Sequence, residues 1–254
     1  MIPISFRTKS PDVFVVGHSQ PVQAGLTGYL LERGIEWHTD AKHTPATLSE
    51  FGGRICYGAS SFKNPRESTQ AKYLRTSIID HGHESVIEHV TINFAVAGLS
   101  RNVLQELARH RVGVAYSVRS TRFADDQMEF AIPPLVRGTE QEDSFKRVCE
   151  LAVGQYESTV EAIKLEGLPK TLEKKRKREA ARNILPGALT CDLLFTCNAR
   201  ALRHIIQLRT NEHADLSFRE FAYNLFDEAH NVIPELLVGA KVRHVGGAFE
   251  VDFT

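Results

Sequence analysis

Apolar and polar positions alternate along the chain in a pattern that predicts β-strands. In residues 90–98 every second residue is a large apolar one, and a period of two is typical of a strand with one buried face. The apolar positions there are Val90, Ile92, Phe94 and Val96. Residues 13–17 (VFVVG) form a short apolar, β-branched run that predicts another strand. Residues 186–199 are also β-like and lead directly into a helical pattern.

A helical period governs most of the remaining chain. It predicts helices over residues 45–59, 66–82, 100–109, 140–181 with an interruption at 166–170, 199–209 and 214–237. In the helix over 100–109, Ser100 is a suitable N-cap, and Arg101, Gln105 and Arg109 share one face. The pattern as a whole predicts an α+β fold, with residues 1–254 forming a single domain in which long helices flank a central, mostly antiparallel sheet.

The composition is that of an ordinary globular protein. Of the 254 residues, 42% are hydrophobic and 24% are charged, and the formal net charge is zero. This balance argues against a protein that mainly coats nucleic acid or an anionic membrane. The four cysteines form no CxxC motif, and no stretch reads as a secretion signal or a membrane span. We therefore expect reduced thiols and a cytoplasmic location.

Positive charge is concentrated in arginine. Residues 106–123 (ELARHRVGVAYSVRSTRF) hold four arginines and one histidine, and residues 107–123 contain no Asp or Glu. No lysine occurs between Lys72 and Lys146. A guanidinium is weakly hydrated and grips phosphate or carboxylate through two parallel hydrogen bonds. Pairing with acids elsewhere in the chain is an alternative for any single arginine, but the set predicts a site for several anionic groups on one ligand.

Other clusters allow more than one interpretation. HGHESVIEH (residues 81–89) lacks the second histidine of an HExxH zinc site, because Ile87 takes its place; a metal site of other spacing, a polar turn and a ligand-facing loop remain alternatives. KKRKR (174–178) lies in a helical pattern flanked by glutamates, which favours a solvated helix face over a nuclear-localisation or nucleic-acid patch. The chain holds neither a Walker loop nor GxGxxG, so any nucleotide or flavin that it binds is not held by a P-loop or a Rossmann turn.

In NARALRHIIQLR (198–209) the polar positions fall on two sides of one helix. Arg200 and His204 are four residues apart and therefore neighbours, whereas Arg209 lies about half a turn round from Arg200. We therefore predict that Arg200 and Arg209 serve different ligands, or opposite ends of one.

These residues together resemble the flavin-dependent thymidylate synthase family. Its hallmark is an Arg-His-Arg triplet followed by Ser-x-Arg-Tyr, and here Arg109-His110-Arg111 is followed by Ser120-Thr121-Arg122-Phe123. Further blocks stand in the family's order, namely HGHESVIEH, SRNVLQELARHR, ARNILP and NARALRHIIQLRTNEHAD. The spacer between Arg111 and Ser120 is one residue longer than the commonest form, Phe123 replaces the usual Tyr, and Val118 stands where Glu or Gln is common.

The resemblance implies a role for each matching residue. Those implied to bind FAD are Ser85, Arg109, His110, Arg111, Asn198, Arg200 and His204. Those implied to bind dUMP are Arg101, Glu106, Arg109, Arg119, Ser120, Thr121, Arg122, Arg182 and Arg209. Arg209, beside the uracil ring, is the implied catalytic residue. Ser120 is a second candidate, although no base stands beside it in sequence and a binding hydroxyl is the preferred role. No metal is implied.

The implied reaction is reductive methylation of dUMP to dTMP. Methylenetetrahydrofolate gives the one-carbon unit, and FAD reduced by NADPH gives the hydride. The resemblance also implies a homotetramer with shared active sites, with neither nucleic acid nor membrane as a partner. Two other functions remain as alternatives: an Arg-rich RNA-binding protein that stacks bases on Tyr116 and Phe123, and a metal-dependent hydrolase built on His81, His83 and His89.

Overall fold

A computed structural model describes residues 1–40, 43–63, 69–122 and 127–253. The chain divides into two compact units. Unit 1 comprises Met1–Asp12, Val96–Arg109 and Tyr116–Leu194, and unit 2 comprises Val13–Ala95, His110–Ala115 and Phe195–Thr254. The single domain over residues 1–254 stays a prediction.

The described residues form both strands and helices, which confirms the α+β class. The strands are β1 (Ile4–Arg7), β2 (Asp12–His18), β3 (Thr91–Ser100), β4 (Val114–Val118), β5 (Met128–Ala131), β6 (Thr190–Asn198), β7 (Lys241–Val245) and β8 (Ala248–Asp252). The α-helices are α1 (Gln23–Glu32), α2 (Ala46–Cys56), α3 (Ala59–Phe62), α4 (Gln70–Arg75), α5 (Arg101–Leu107), α6 (Gln141–Ala162), α7 (Lys170–Ala181), α8 (Ala199–Thr210) and α9 (Leu216–His230). A π-helical turn spans Thr76–Asp80, and 3-10 turns span Glu84–His89, Arg182–Ile184 and Pro234–Leu237.

One sheet has the strand order β2-β3-β6-β4. Strands β3, β4 and β6 each contribute residues to both units. The backbone bonds of β4 and β6 link Asn198 with Gly113 and Arg119 with Asp192, each at 2.9 Å. Residue numbers therefore rise along one strand while those of its partner fall, so these two strands run antiparallel, as predicted. Two smaller sheets complete the structure, with β1 parallel to β5 and β7 antiparallel to β8.

Unit 1 is organised around a small apolar core. Phe130 of β5 is fully buried against residues of α6 and α7, among them Val153 and Tyr156. The period-two burial of β5 places Met128 and Phe130 inside and leaves Glu129 on the other face. Burying these side chains supplies the hydrophobic stabilisation of the unit, and the strand that provides it also presents a carboxylate outside the core.

Unit 2 has a core built largely from two amphipathic helices. On α8 the residues Leu202, Ile205 and Ile206 are fully buried at helical spacing, and on α9 so are Phe218 and Phe221. This arrangement follows the predicted apolar stripes. It leaves Arg200 and His204 exposed on the other side of α8.

The predicted helix over 100–109 is correct at its start and wrong at its end. Ser100 is the N-cap, with its hydroxyl accepting from the Val103 amide at 3.2 Å. The helix ends at Leu107, whose carbonyl accepts a hydrogen bond from the Tyr116 hydroxyl at 2.8 Å. Arg109 therefore lies beyond α5 and does not extend its Arg101 face.

Other predicted boundaries shift as well. The helix predicted over 45–59 is α2, which stops at Cys56, and the one over 66–82 is α4 followed by the π-helical turn. The start of the latter falls partly on residues 64–68, outside the described residues. None of the helices in the described part of the chain is both long and apolar enough to cross a membrane.

Candidate active site

A polar cavity of about 190 Å³ opens in unit 1. Several of the residues implied to bind a nucleotide meet there. Its lining consists of Arg101, Arg119, Ser120, Thr121, Gln127, Met128, Glu129, Leu189, Thr190, Cys191 and Asp192; we call it the arginine pocket. Its walls come from the first residue of α5, the residues at the end of β4 and the start of β6.

Arg101 and Arg119 each contact another residue of the arginine pocket. An Nη2 donor of Arg101 bonds to the carbonyl of Arg119 at 3.1 Å. The Arg119 guanidinium lies 3.9 Å from the Asp192 carboxylate, and both side chains are about half exposed. Such an exposed pair contributes little to stability, so an incoming anion can displace Asp192 at small cost.

Arg101 also carries an unused donor. Its Nε is buried and makes no hydrogen bond to any described residue. An unsatisfied buried donor costs free energy, and a donor on a cation costs more than a neutral one. An anionic ligand that draws the Arg101 side chain further into the arginine pocket would supply the missing acceptor.

The segment after β4 forms a turn that its own hydroxyl groups help to hold. The Ser120 hydroxyl accepts from the Arg122 amide at 3.2 Å, and Arg182 Nη1 donates to the Thr121 hydroxyl at 3.5 Å. The Arg122 guanidinium lies 3.6 Å from Glu179, so for this arginine the alternative of pairing with an acid elsewhere in the chain holds. Phe123 lies outside the described residues.

The flavin-binding candidates of unit 2 gather at the start of α8. Asn198 caps the helix, its side-chain oxygen accepting from the Ala201 amide at 2.8 Å. Gly113 packs against it at φ +72, where a Cβ would come within 2.5 Å of the Asn198 amide nitrogen. Only glycine fits this approach. His110 and Arg111 directly precede this turn, and Arg111 is exposed.

Arg200 faces two glutamates of the HGHESVIEH segment. Its Nη1 lies 2.5 Å from Glu88 and its Nε lies 3.6 Å from Glu84. The hydrogen bond that Arg200 donates to the Glu88 carboxylate raises the pKa of Arg200, so this guanidinium stays cationic. Ser85 lies between the two glutamates and is exposed.

Arg209, at the other end of α8, has different neighbours. Its Nε donates to His110 Nε2 at 3.0 Å, and its guanidinium lies 4.7 Å from the centre of the Phe218 ring. The centre of the His110 ring also lies 5.8 Å from that of His204 and 6.4 Å from that of Phe218, each in an edge-to-face arrangement. Accepting this bond requires a His110 Nε2 without a proton. Arg200 and Arg209 thus have different neighbours, whereas the prediction that they serve different ligands, or opposite ends of one, stays a prediction.

Comparison with known proteins identifies the family. The model of the family described as thymidylate synthase complementing protein matches residues 39–235. The chain is 36% identical over 237 residues to a flavin-dependent thymidylate synthase of Mycobacterium sp. (strain KMS), covering 90% of this chain and 92% of that one. The enzyme of the same name from Mycobacterium tuberculosis is 36% identical over 233 residues, covering 89% and 91%. The chain belongs to the flavin-dependent thymidylate synthase family.

Solved structures share the fold of this family member. A UMP/dUMP methylase, PolB, from Streptomyces cacaoi bound with 5-Br dUMP aligns with a TM-score of 0.65 and 20% identity, covering 91% of this chain and 94% of that one. Thymidylate synthase X from Helicobacter pylori, with FAD and dUMP, aligns with a TM-score of 0.59 and 18% identity, covering 89% and 96%.

The alternative functions find little support in the geometry. Among the described residues, no group of three His, Cys, Asp or Glu side chains is arranged to hold a metal ion. Tyr116, proposed as a base-stacking residue, is partly buried with its hydroxyl bonded to Leu107. In KKRKR, Arg178 is buried and Lys177 pairs with Glu173 at 2.7 Å, so this run is not a uniform basic patch.

Several site residues had no signal in the sequence. Glu129 and Asp192 bring carboxylates into the arginine pocket, and Phe218 supports Arg209 from the start of α9. Asp192 and Phe218 come from segments distant in sequence from the arginine cluster, and Glu129 lies six residues beyond its end. An apolar residue at helical spacing, such as Phe218, is indistinguishable from an ordinary core position.

Cys191 lines the arginine pocket but is not set up as a nucleophile. Burial raises its pKa to about 11, although nearby Arg101 acts in the opposite direction. At neutral pH the thiol is therefore protonated, and it donates to the Leu99 carbonyl at 3.4 Å. Burial also raises the pKa of Cys149, to about 11, and that of Cys197.

We predict that Cys191→Ser retains turnover within about twofold, because a thiol of raised pKa supplies little thiolate. Steady-state rates of dTMP formation test this, with Cys149→Ser in the core of unit 1 as the matched control for the cost of placing a hydroxyl at a buried thiol. A loss of turnover in Cys191→Ser alone, with the fold intact, would assign the thiol a chemical role.

Proposed function

We propose that the chain catalyses the reductive methylation of dUMP to dTMP, with methylenetetrahydrofolate as the one-carbon donor and FAD reduced by NADPH as the hydride carrier. The observation that carries this proposal is the arginine pocket, which brings Arg101, Arg119, Ser120 and Thr121 together in a member of the flavin-dependent thymidylate synthase family. FAD and dUMP accompany the related Helicobacter pylori structure.

The arginine pocket fits a nucleoside monophosphate. The buried Nε of Arg101 lacks an acceptor, and a phosphate oxygen supplies one. Arg119 and the hydroxyls of Ser120 and Thr121 add donors on the same wall. Arg122, Arg182, Arg109 and Glu106 complete the proposed dUMP-binding set; Arg182 reaches it through Thr121. Ser120 acts there as a binding hydroxyl.

The residues proposed to bind FAD fit an anionic cofactor. Arg111, Arg200 and His204 expose cationic or hydrogen-bonding groups, and Asn198 fixes the turn from which α8 begins. Ser85, Arg109 and His110 complete the set. Bound FAD supplies hydride transfer, whereas these side chains neutralise its phosphates and orient it.

Arg209 is proposed to act on the uracil ring. A fixed guanidinium beside the ring stabilises the negative charge that develops on its nitrogen and carbonyl oxygens, which makes C5 more nucleophilic. Preorganised donors of this kind are typically worth about 3–4 kcal/mol each. His110 and Phe218 limit the motion of this guanidinium, since one accepts its Nε–H and the other packs on its face.

The use of NADPH and methylenetetrahydrofolate, and assembly into a homotetramer with shared active sites, belong to the same proposal. Release of tritium from [5-³H]dUMP, assayed with each component omitted in turn, tests it. We expect release coupled to dTMP formation only when FAD, NADPH and the folate are all present. Formation of dTMP at the same rate without flavin would contradict the proposal.

Arg101→Ala is predicted to raise the KM for dUMP by about 10-fold to 100-fold, because one charged hydrogen bond contributes about 1.5–3 kcal/mol. Turnover at saturating dUMP should fall less. Arg147→Ala, which removes an exposed arginine of α6, is the control and should leave the KM unchanged. An unchanged KM in Arg101→Ala would remove this arginine from the phosphate site.

A further inference from the structure

Arg219, in the first turns of α9, is a buried cation with an unusual set of partners. Its side chain is 2% exposed, and its guanidinium donates to four main-chain carbonyls. These are Thr210 O (3.0 Å, from Nε), Gly246 O (3.2 Å, from Nη1), and Val245 O and Ala248 O (2.6 and 3.3 Å, from Nη2). A single side chain thus ties the end of α8 to the turn between β7 and β8.

The turn that receives Arg219 is shaped for this contact. Gly246 and Gly247 both have positive φ, at +58 and +83, which is the two-residue hairpin conformation that glycine adopts without strain. A Cβ on Gly246 would lie 3.1 Å from Arg219 Nη1. The turn therefore directs its carbonyls at the guanidinium and leaves room for it.

Thr210 forms a second link between the same elements. Its hydroxyl accepts from the Val251 amide at 2.9 Å, and it lies 2.8 Å from the Ile206 carbonyl and 3.3 Å from the Val251 carbonyl. Thr210 is fully buried. The last turn of α8 is thus bonded to β8 as well as to Arg219.

The hydrogen bonds of Arg219 and those of Thr210 both lie directly beside Arg209. Thr210 follows Arg209 in the chain, and Phe218, whose ring lies 4.7 Å from the Arg209 guanidinium, precedes Arg219. Any change in the angle between the end of α8 and the start of α9 would separate that ring from the guanidinium and strain the bond from Arg209 to His110.

We propose that Arg219 is a positioning residue for Arg209, and that it works by fastening the last turn of α8 and the first turn of α9 to the hairpin of β7 and β8. The inference rests on the proposed role of Arg209 at the uracil ring. It assigns a function to the hairpin, which lies beyond residues 39–235 that the family model matches. Displacement of a catalytic group by about 1 Å can cost on the order of 100-fold in rate.

A double-mutant cycle tests the proposal. Arg219→Lys keeps the charge but cannot reach four carbonyls. We expect it to lower kcat by about tenfold, to change the KM for dUMP by less than about threefold, and to retain flavin. In the Arg209→Ala background the same change should lower the remaining rate by less than about twofold, because the residue that it positions is already absent.

Two further variants separate positioning from stability. Thr210→Val removes the hydroxyl at constant shape and should lower kcat in the same direction, which keeps the test decisive if Arg219→Lys does not fold. Leu225→Ala opens a cavity in the buried face of α9 and should lower the thermal midpoint without a selective loss of kcat.

The outcomes distinguish the proposed role of Arg209 from that of Arg219. Unchanged turnover in Arg209→Ala would remove the proposed role of Arg209 itself. If Arg209→Ala is impaired, two results would overturn the positioning role of Arg219 and leave it as a purely structural cation. One is that Arg219→Lys lowers kcat equally in the native and the Arg209→Ala backgrounds. The other is that Leu225→Ala lowers kcat as much as Arg219→Lys does at an equal drop in thermal midpoint.

Discussion

Arg209→Ala is expected to keep bound flavin and to lower the rate of dTMP formation by about 100-fold to 1000-fold. The flavin stays because most of its proposed ligands, Asn198 and Arg200 among them, lie toward the opposite end of α8, and His110 loses only the Nε–H donor of Arg209. The rate falls because the removed guanidinium is a preorganised donor for charge that develops on the uracil ring, and loss of one such donor costs this much. Single-turnover oxidation of reduced flavin in the presence of dUMP and the folate measures the effect on chemistry.

The neighbouring residue offers a matched control. Leu208 is 48% exposed on the same turn of α8, so Leu208→Ala should leave both the flavin content and the rate unchanged. Full turnover in Arg209→Ala would remove Arg209 from the mechanism. Loss of flavin from this variant would instead place Arg209 in the cofactor site.

Glu50→Gln is expected to lower the free energy of unfolding by about 3–5 kcal/mol, the usual cost of removing one partner of a buried ion pair. The Glu50 and Arg54 side chains are both 0% exposed and lie 2.7 Å apart on α2. Glu50 also accepts from the Thr39 hydroxyl at 2.8 Å and from Trp37 Nε1 at 3.4 Å. The substitution removes the carboxylate charge that faces the buried Arg54 guanidinium.

Urea unfolding measures this loss. The partly exposed pair of Glu142 and Lys146 on α6 provides the comparison, and Glu142→Gln should lower the midpoint much less than Glu50→Gln does. Replacing both Glu50 and Arg54 by Met should recover much of the stability, since no buried charge remains. A midpoint for Glu50→Gln equal to that of the native chain would show that Arg54 is solvated or paired in another way.

The elements with strong apolar periodicity were predictable from sequence. Strand β3 and helix α8 lie within two residues of their predicted bounds, because their buried faces repeat without interruption. Helix α9 begins close to its predicted start at 214, but it ends at His230 and only a 3-10 turn follows within the predicted range to 237. The Ser100 cap was predictable for the same local reason. The end of α5 was not predictable, because it depends on Tyr116 of the following strand, whose hydroxyl donates a hydrogen bond to the Leu107 carbonyl.

Elements that depend on distant partners escaped prediction. Strands β1 and β5 are four residues each and pair with one another across more than a hundred residues of chain. Helix α1 has no buried residue, so it shows no apolar stripe. The Gly246-Gly247 pair indicates a hairpin turn between β7 and β8. The strand β7 itself was not predicted, because its residues are mostly exposed and do not alternate between apolar and polar positions.

The arginines of the candidate site were predictable, but their surroundings were not. Arginine without lysine or nearby acid indicates an anion site in any fold, and the structure brings Arg101 and Arg119 together in one pocket. The contributions of Glu129, Asp192 and Phe218 come from strand pairing and helix packing. Local sequence around these residues therefore gave no sign of their place in the site.

The arginine-rich segments are proposed to bind a flavin and a nucleotide for hydride chemistry. The visible absorption spectrum of the purified protein after incubation with FAD and desalting, followed by anaerobic addition of NADPH and dUMP in the same cuvette, tests this proposal most directly. We predict a retained flavin band that NADPH bleaches. No retained band, together with no bleaching when FAD is left in excess, would contradict the account.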